Sequence, residues 1–222
     1  MITLKDLKNN AQIVSFIECT NKTLTALSYT DHGVRHLDLV ADRAKYIAKT
    51  IGLSEREQEL SAISAFCHDI GNFLSRSHHN YFGALLFYQI FKDKFDPEEM
   101  TIIMQAISNH DKQQEDINFI SKIAAIVVLA DKSDVHRSRV VVKNLEEIKK
   151  DIHDKVNYAT NESDIKIDKL KKKITLKLKI DTNFCSIMEY FEIFTDRMIF
   201  CRKAAEFLGY QFGILINGIR LL

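Results

Sequence analysis

The chain has 222 residues, with 31 Lys and Arg against 30 Asp and Glu and a formal net charge of +1. That balance argues against a dedicated nucleic-acid binder, which carries a strongly basic face, and the length allows a core without disulfide or metal staples. Cys19, Cys67, Cys185 and Cys201 show no C-x-x-C spacing, which excludes a zinc knuckle and reads as reduced core thiols. The first ten residues contain no long apolar h-region, and no apolar run approaches the ~20 residues of a membrane helix. A soluble, cytoplasmic chain with no membrane partner is expected.

One proline and seven glycines favour long helices with few breaks. Residues 1–29 show mixed helical periodicity through Leu4, Leu7, Ala11, Val14 and Ile17. Thr30 or Asp31 is positioned to cap a helix over about 32–50, stopped at Gly52, with Leu37, Val40, Ala44, Ile47 and Ile51 on its apolar face. Ser54 and Glu57 form a capping box that opens a helix reaching Asp69. A third helix is expected from about 78–80 toward Lys94. Asp96-Pro97-Glu98-Glu99 opens a fourth, ending near Asn109-His110-Asp111. The fifth, from about Asn118, is very apolar through 123–130 and stops near Asp131-Lys132.

Beyond residue 140 the character changes. Residues 145–156 read as a charged helix, and Ile174, Leu176, Leu178 and Ile180 alternate with polar residues as a half-buried strand, with 164–168 as its hairpin partner. Asn183 is expected to cap a helix over about 184–208, closed by Gly209. Asn217-Gly218 between two apolar runs predicts a hairpin across 211–222. The expected fold is mainly α: a helical metal-binding catalytic domain over 1–160, then a small α+β appendage over 161–222 with β-hairpins and one long helix.

His68-Asp69 closes an apolar stretch that ends at Gly71. With His36 upstream and His79, His110 and Asp131 downstream, it makes a set of imidazoles and carboxylates. Such a set suits one or two divalent transition-metal ions (Fe, Mn, Co, Ni or Zn) better than calcium or magnesium. Taken singly, each residue has a plain reading: His36 as a partly buried polar residue, Asp131 as a helix closer. Taken together they ask for a cation, because apolar runs lead up to both carboxylates and burying an unpaired carboxylate is costly.

His36, His68-Asp69 and Asp131 resemble the H…HD…D motif of the HD-domain metal-dependent phosphohydrolase superfamily, over about residues 30–140. Asp31-His32-Gly33-x-x-His36, His79-x-x-x-Gly83-Ala84, Asn109-His110-Asp111 and Ala130-Asp131-Lys132 extend the likeness. The two middle histidines are similar to those of two-metal members. The chain lacks the Glu-Asp pair of the alarmone hydrolases and the Gly-Tyr-Pro of the cyclic-dinucleotide phosphodiesterases, so their substrates do not carry over. The resemblance implies an HD-domain helical bundle in which His36, His68, Asp69 and Asp131 hold one metal. Asp69 would bridge to a second metal on His79 and His110, making it a catalytic residue as well, with water between the ions as nucleophile. His78 is the rival of His79, and a one-metal site would turn His79 and His110 toward a phosphate instead.

Lys132 follows a ligand and is a candidate for catalysis or phosphate contact, against a plain reading as a surface lysine. Arg137, six residues past Asp131, is a candidate phosphate fork, and His32, one turn before His36, a candidate substrate contact. Asp111 is expected to orient His110, and Cys67 to pack. Lysines within 166–179 read as a solvated strand face, since no aromatics interleave for base stacking. The leading reading is a phosphohydrolase (phosphomonoesterase, or phosphodiesterase/pyrophosphohydrolase) acting through metal-activated water on a small phosphorylated compound, a nucleotide first among them. The alternatives are an HD-type di-iron oxygenase on the same ligands, and a non-catalytic metal- or nucleotide-sensing module. In the latter the appendage would make a homodimer or partner contact.

Overall fold

Asn9-Asn10 splits the periodic N-terminal stretch into two helices, α1 (Leu4–Lys8) and α2 (Ala11–Ala26), because the Asn10 side chain accepts from Gln12 and Ile13 N–H and starts the second. This computed structural model describes residues 1–111 and 118–221; Leu222, at the end of the expected terminal hairpin, lies outside them. α3 (Val34–Ile51) starts later than expected. Its N-cap is Gly33, with no side-chain cap, and Asp31 instead accepts the Gly33 N–H in the preceding turn at 2.8 Å. Gly52 ends it at φ +91°, where a side chain would be strained.

α4 (Glu55–Phe66) carries the Ser54–Glu57 capping box, yet stops at the Cys67 C-cap. His68-Asp69 therefore lies in the turns after the helix, not on it. α5 (His79–Phe91) and α6 (Pro97–Asn109) begin where expected, the latter on Asp96 with proline at its first position. α7 (Lys122–Lys132) is capped by Ser121, three residues past Asn118. Residues 145–156 do not form one helix: Asp151 caps a new start, giving α8 (Leu145–Ile148) and α9 (Ile152–Ala159).

The sheet order is β1-β2-β3-β4, with β1 (Thr160–Asp168) antiparallel to β2 (Lys173–Ile180) and β3 (Gln211–Ile216) antiparallel to β4 (Ile219–Arg220). Asn217 at φ +51° and Gly218 at φ +84° supply the double left-handed turn of the last hairpin. β2 and β3 pair in parallel, so the chain must cross over between them. α10 (Ile187–Phe207) supplies the crossover. Its cap is Ser186, in a reciprocal box with Glu189, and not Asn183, whose N–H is spent on Asp181.

The architecture is 58% helical with a small four-stranded sheet. α7 is its axis: every residue from Ile123 to Lys132 is buried, and it packs against α3, α4, α6 and α10. One continuous apolar core runs from Leu7 through α7 to Ile174, Leu176 and Leu178 of β2 and Tyr190 and Phe194 of α10. No helix among the described residues is long and apolar enough to cross a membrane.

Candidate metal centre

Six side chains reach one buried point from the ends of five helices. His36 lies in the first turn of α3, His68 and Asp69 just past α4, His79 at the start of α5, His110 at the C-cap of α6, and Asp131 in the last turn of α7. All six are at most 7% exposed. Asp69 faces two ways. Its Oδ2 lies 3.2 Å from His68 Nε2 and 3.8 Å from His36 Nε2, while its Oδ1 lies 3.2 Å from His79 Nε2 and 3.6 Å from His110 Nε2. Asp131 Oδ1 completes the first side, 3.5 Å from His36 Nε2 and 3.6 Å from His68 Nε2. The groups His36/His68/Asp69, His68/His110/Asp131 and Asp69/His79/His110 each bring ligand atoms close enough to hold an ion.

The ring orientations are fixed from behind. His68, His79 and His110 point Nδ1 at the carbonyl three residues earlier: Ala65 at 2.6 Å, Arg76 at 2.8 Å and Ile107 at 2.7 Å. His36 points Nδ1 at Asp134 Oδ2 at 2.7 Å. Each Nδ1 is met by an acceptor and so carries the proton, which leaves the four Nε2 lone pairs aimed inward. Nitrogen lone pairs stand 3.3 Å apart between His36 and His68 and 3.0 Å apart between His79 and His110. Imidazole nitrogens and carboxylates converging on one buried point are what a cation satisfies, and an outer hydrogen bond on each imidazole is the usual support for a ligand. A proton on His68 Nε2 competes with a cation for the pull of the carboxylates. Burial pushes the His68 imidazole down, but Asp69 and Asp131 outweigh it and hold it up at about 10. Burial raises Asp69, yet His68 and hydrogen bonds from the rings keep it well below the carboxylate range. Burial, with the charges of His68 and Lys132, outweighs the Asp69 hydrogen bond and carries His110 down to about 4, so that ring is neutral.

Other candidates fall in different places. His78 is exposed at the N-cap of α5, so it is His79 that enters the cluster. Lys132 is no surface lysine: its Nζ lies 2.7 Å from Asp131 Oδ2 and 3.2 Å from Asp111 Oδ1, and these carboxylates outweigh burial to hold the ammonium above its ordinary range. Asp111 does not orient His110, whose Nδ1 is already satisfied by its own turn. It pairs with Lys132 instead. His32 is buried beside His36, with ring centroids 5.7 Å apart, and burial pushes its imidazole well below the usual range. Arg137 is exposed, stacked over Tyr158 at 5.2 Å and donating to that residue's carbonyl. It is not brought to the cluster. Cys67 is fully buried and burial raises its thiol, which marks packing.

Three contributors escaped sequence reasoning. Asp134 receives His36, Arg35 and Arg139 in a fully buried position, and its only signal was a second acid three residues past Asp131. Asn72 donates to Asp69 Oδ1 at 2.8 Å and holds the carboxylate that faces both histidine pairs. Arg76 donates to Asn72 Oδ1 at 3.0 Å and sits against the His79 ring at 3.2 Å.

Comparison with known proteins agrees with this geometry. The uncharacterized protein MJ1020 of Methanocaldococcus jannaschii is 26% identical over 157 residues, covering 60% of this chain and 60% of that protein. The chain thus spans about 60% of the length of the curated relative it matches. The HD domain family matches residues 33–135, a span that runs from the cap of α3 past Asp134 and contains all six clustered side chains. Residues 33–135 are thus an HD domain, the domain of the HD metal-dependent phosphohydrolase superfamily.

Proposed function

We propose that the chain is a metal-dependent phosphohydrolase of a small phosphorylated compound, a nucleotide first among the candidates. The observation that carries this is the two-faced Asp69, with an oxygen toward each histidine pair. His36, His68, Asp69 and Asp131 would hold one divalent ion, and Asp69, His79 and His110 a second. Two such ions acidify a shared water and neutralise charge on a phosphoryl group.

The chain's own residues supply the rest. Asn72 holds Asp69 in the rotamer that faces both pairs. Lys132, kept charged by Asp131 and Asp111, places an ammonium beside the cluster, suited to a phosphate oxygen. Arg76 adds a guanidinium at the His79 side. The apolar surround of α4 and α7 keeps bulk water from the ligands and strengthens every charge interaction within.

The test is metal content of freshly purified protein together with turnover of nucleotides and other phosphoesters under each divalent transition metal. About two ions per chain and oxygen-independent phosphate release are expected. Folded protein that takes up no metal after reconstitution overturns the reading. Iron with an oxygen-dependent spectrum and no phosphate release assigns the oxygenase instead, and binding without turnover under any metal assigns a sensing module.

Asp134 gives a narrower expectation. Asp134→Asn keeps the shape but removes the charge behind His36, so metal affinity should drop by about 10–100-fold, the usual scale for an outer partner of a ligating histidine. Chelator competition reads the affinity directly. An unchanged value would reduce Asp134 to a purely structural partner of Arg35 and Arg139.

A further inference from the structure

One pocket of about 440 Å³ opens beside the cluster, lined by His32 next to His36 and by Arg76 next to His79. Four further residues on its wall come from beyond residue 135: Asp151 at the cap of α9, His153 and Asp154 in its first turn, and Arg197 on α10. Asp154 is only 6% exposed, and its carboxylate has no hydrogen-bond or ion-pair partner among the described residues. Arg197 lies over the Phe194 ring at 4.6 Å, and neither it nor Arg76 has a carboxylate partner among the described residues. Arg76 is nonetheless held in place, between Asn72 and the face of Tyr29 at 5.8 Å.

A charge buried without a partner, as at Asp154, is costly, and the half-buried Arg76 and Arg197 share its cavity without pairing with it. A bound molecule carrying both complements would offset that cost. Guanidinium forks match phosphate oxygens in two-point contacts. The carboxyl of Asp154 calls for hydrogen-bond donors, and two guanidiniums in the same pocket disfavour an ammonium, which leaves hydroxyl groups. A second phosphate at the Asp154 end would meet a carboxylate. The volume lies in the range of small-molecule sites and below what a polymer requires.

We infer that this pocket binds a phosphate monoester of a hydroxylated carbon skeleton, with Arg76 and Arg197 on the phosphate and Asp154 on the hydroxyls. The inference rests on the phosphohydrolase reading for placing the phosphate toward the His/Asp cluster. It also assigns substrate choice to residues outside 33–135, the span of the HD domain.

The test is calorimetric titration of the metal-loaded full chain with three ligands that cannot be hydrolysed: methylphosphonate, 2-aminoethylphosphonate and the phosphonate isostere of ribose 5-phosphate. Wild type should bind the ribose isostere at least about tenfold more tightly than methylphosphonate, as a site built for substrate hydroxyls does. Arg197→Met should weaken both by about tenfold, with Arg197→Lys intermediate, since a lysine keeps the charge without the fork. Asp154→Asn should bring the ratio of the two affinities close to one, with circular dichroism confirming that each variant is folded. Equal wild-type affinities, an unchanged ratio in Asp154→Asn, tighter binding of 2-aminoethylphosphonate than of the ribose isostere, or indifference of both ligands to Arg197→Met would each overturn the proposal. The two readings fail separately. Binding as expected without turnover of any phosphoester sinks only the hydrolase, whereas turnover with binding indifferent to Arg197 and Asp154 sinks only this pocket.

Discussion

Asp69→Ala should remove metal from both halves of the centre at once. Each Asp69 oxygen serves a different histidine pair, at 3.2 Å from His68 on one side and 3.2 Å from His79 on the other. The neighbouring acids are poorer substitutes on the second side: Asp111 Oδ2 stands 3.8 Å from His79 Nε2 but is drawn to Lys132, and Asp131 is engaged by His36, His68 and Lys132. Metal content should drop from about two ions per chain to near none, and phosphoester turnover by on the order of 10³-fold or more, the scale of losing a preorganised charge clamp. Asp131→Ala is the control: it should spare the His79/His110 side and retain about one ion. Elemental analysis of the two variants side by side decides. Retention of two ions in Asp69→Ala would show that the histidines alone suffice, and that the bridge is not the organising feature.

The candidate cluster was legible because its two carboxylates close apolar stretches. A carboxylate after Cys67-His68, or after the buried run ending at Ala130, stands out against hydrophobic sequence, and the structure brings both to one point. The outer supports were not legible. Nothing in sequence marks the Ala65, Arg76 or Ile107 carbonyls as acceptors, since that role depends on a three-residue turn closing beneath each ring. Asp134 hides for a different reason. An acid three residues past a helix end reads as an ordinary turn residue, and only the packing of α3 against α7 makes it a partner of His36.

Helix starts were readable wherever an oxygen-bearing cap and an acid three residues on coincide, as at Ser54 and Glu57. The same logic would have placed the α10 start at Ser186, whose partner is Glu189, ahead of Asn183. The strand positions were visible from the period-two pattern of Ile174 to Ile180, but the parallel pairing of β2 with β3 was not. Alternation reports which face is buried, not the direction of the neighbour. Arg137 shows the limit of spacing as evidence. Two residues further on, Arg139 is buried and donates to the carbonyls of Asp134 and Asp31, while Arg137 turns out over Tyr158.

Gly71→Ala should cost more than any surface cap and should damage the centre selectively. A Cβ at Gly71 would stand 2.2 Å from the His79 carbonyl oxygen and 2.6 Å from the Gly83 backbone nitrogen. Both are backbone atoms of α5, so no side-chain rotation relieves the clash. The turn after His68-Asp69 and the start of α5 must separate, and His79 rides on that start. Overpacking against backbone at a fully buried position is expected to lower stability by about 3 kcal/mol or more. Because the displaced element carries His79 and not His36 or Asp131, the second ion should be lost before the first. Gly83→Ala provides the contrast. Its nearest obstacle is the Ile107 Cγ2 methyl at 3.3 Å, which can give way, and a cost of about 1 kcal/mol is expected. Denaturant midpoints and metal stoichiometry on the two variants check both halves. A Gly71→Ala protein with a wild-type midpoint and two ions would mean that the turn bearing His68-Asp69 can relax without moving α5. The close approach of Gly71 to α5 would then not be what sets the distance between Asp69 and His79.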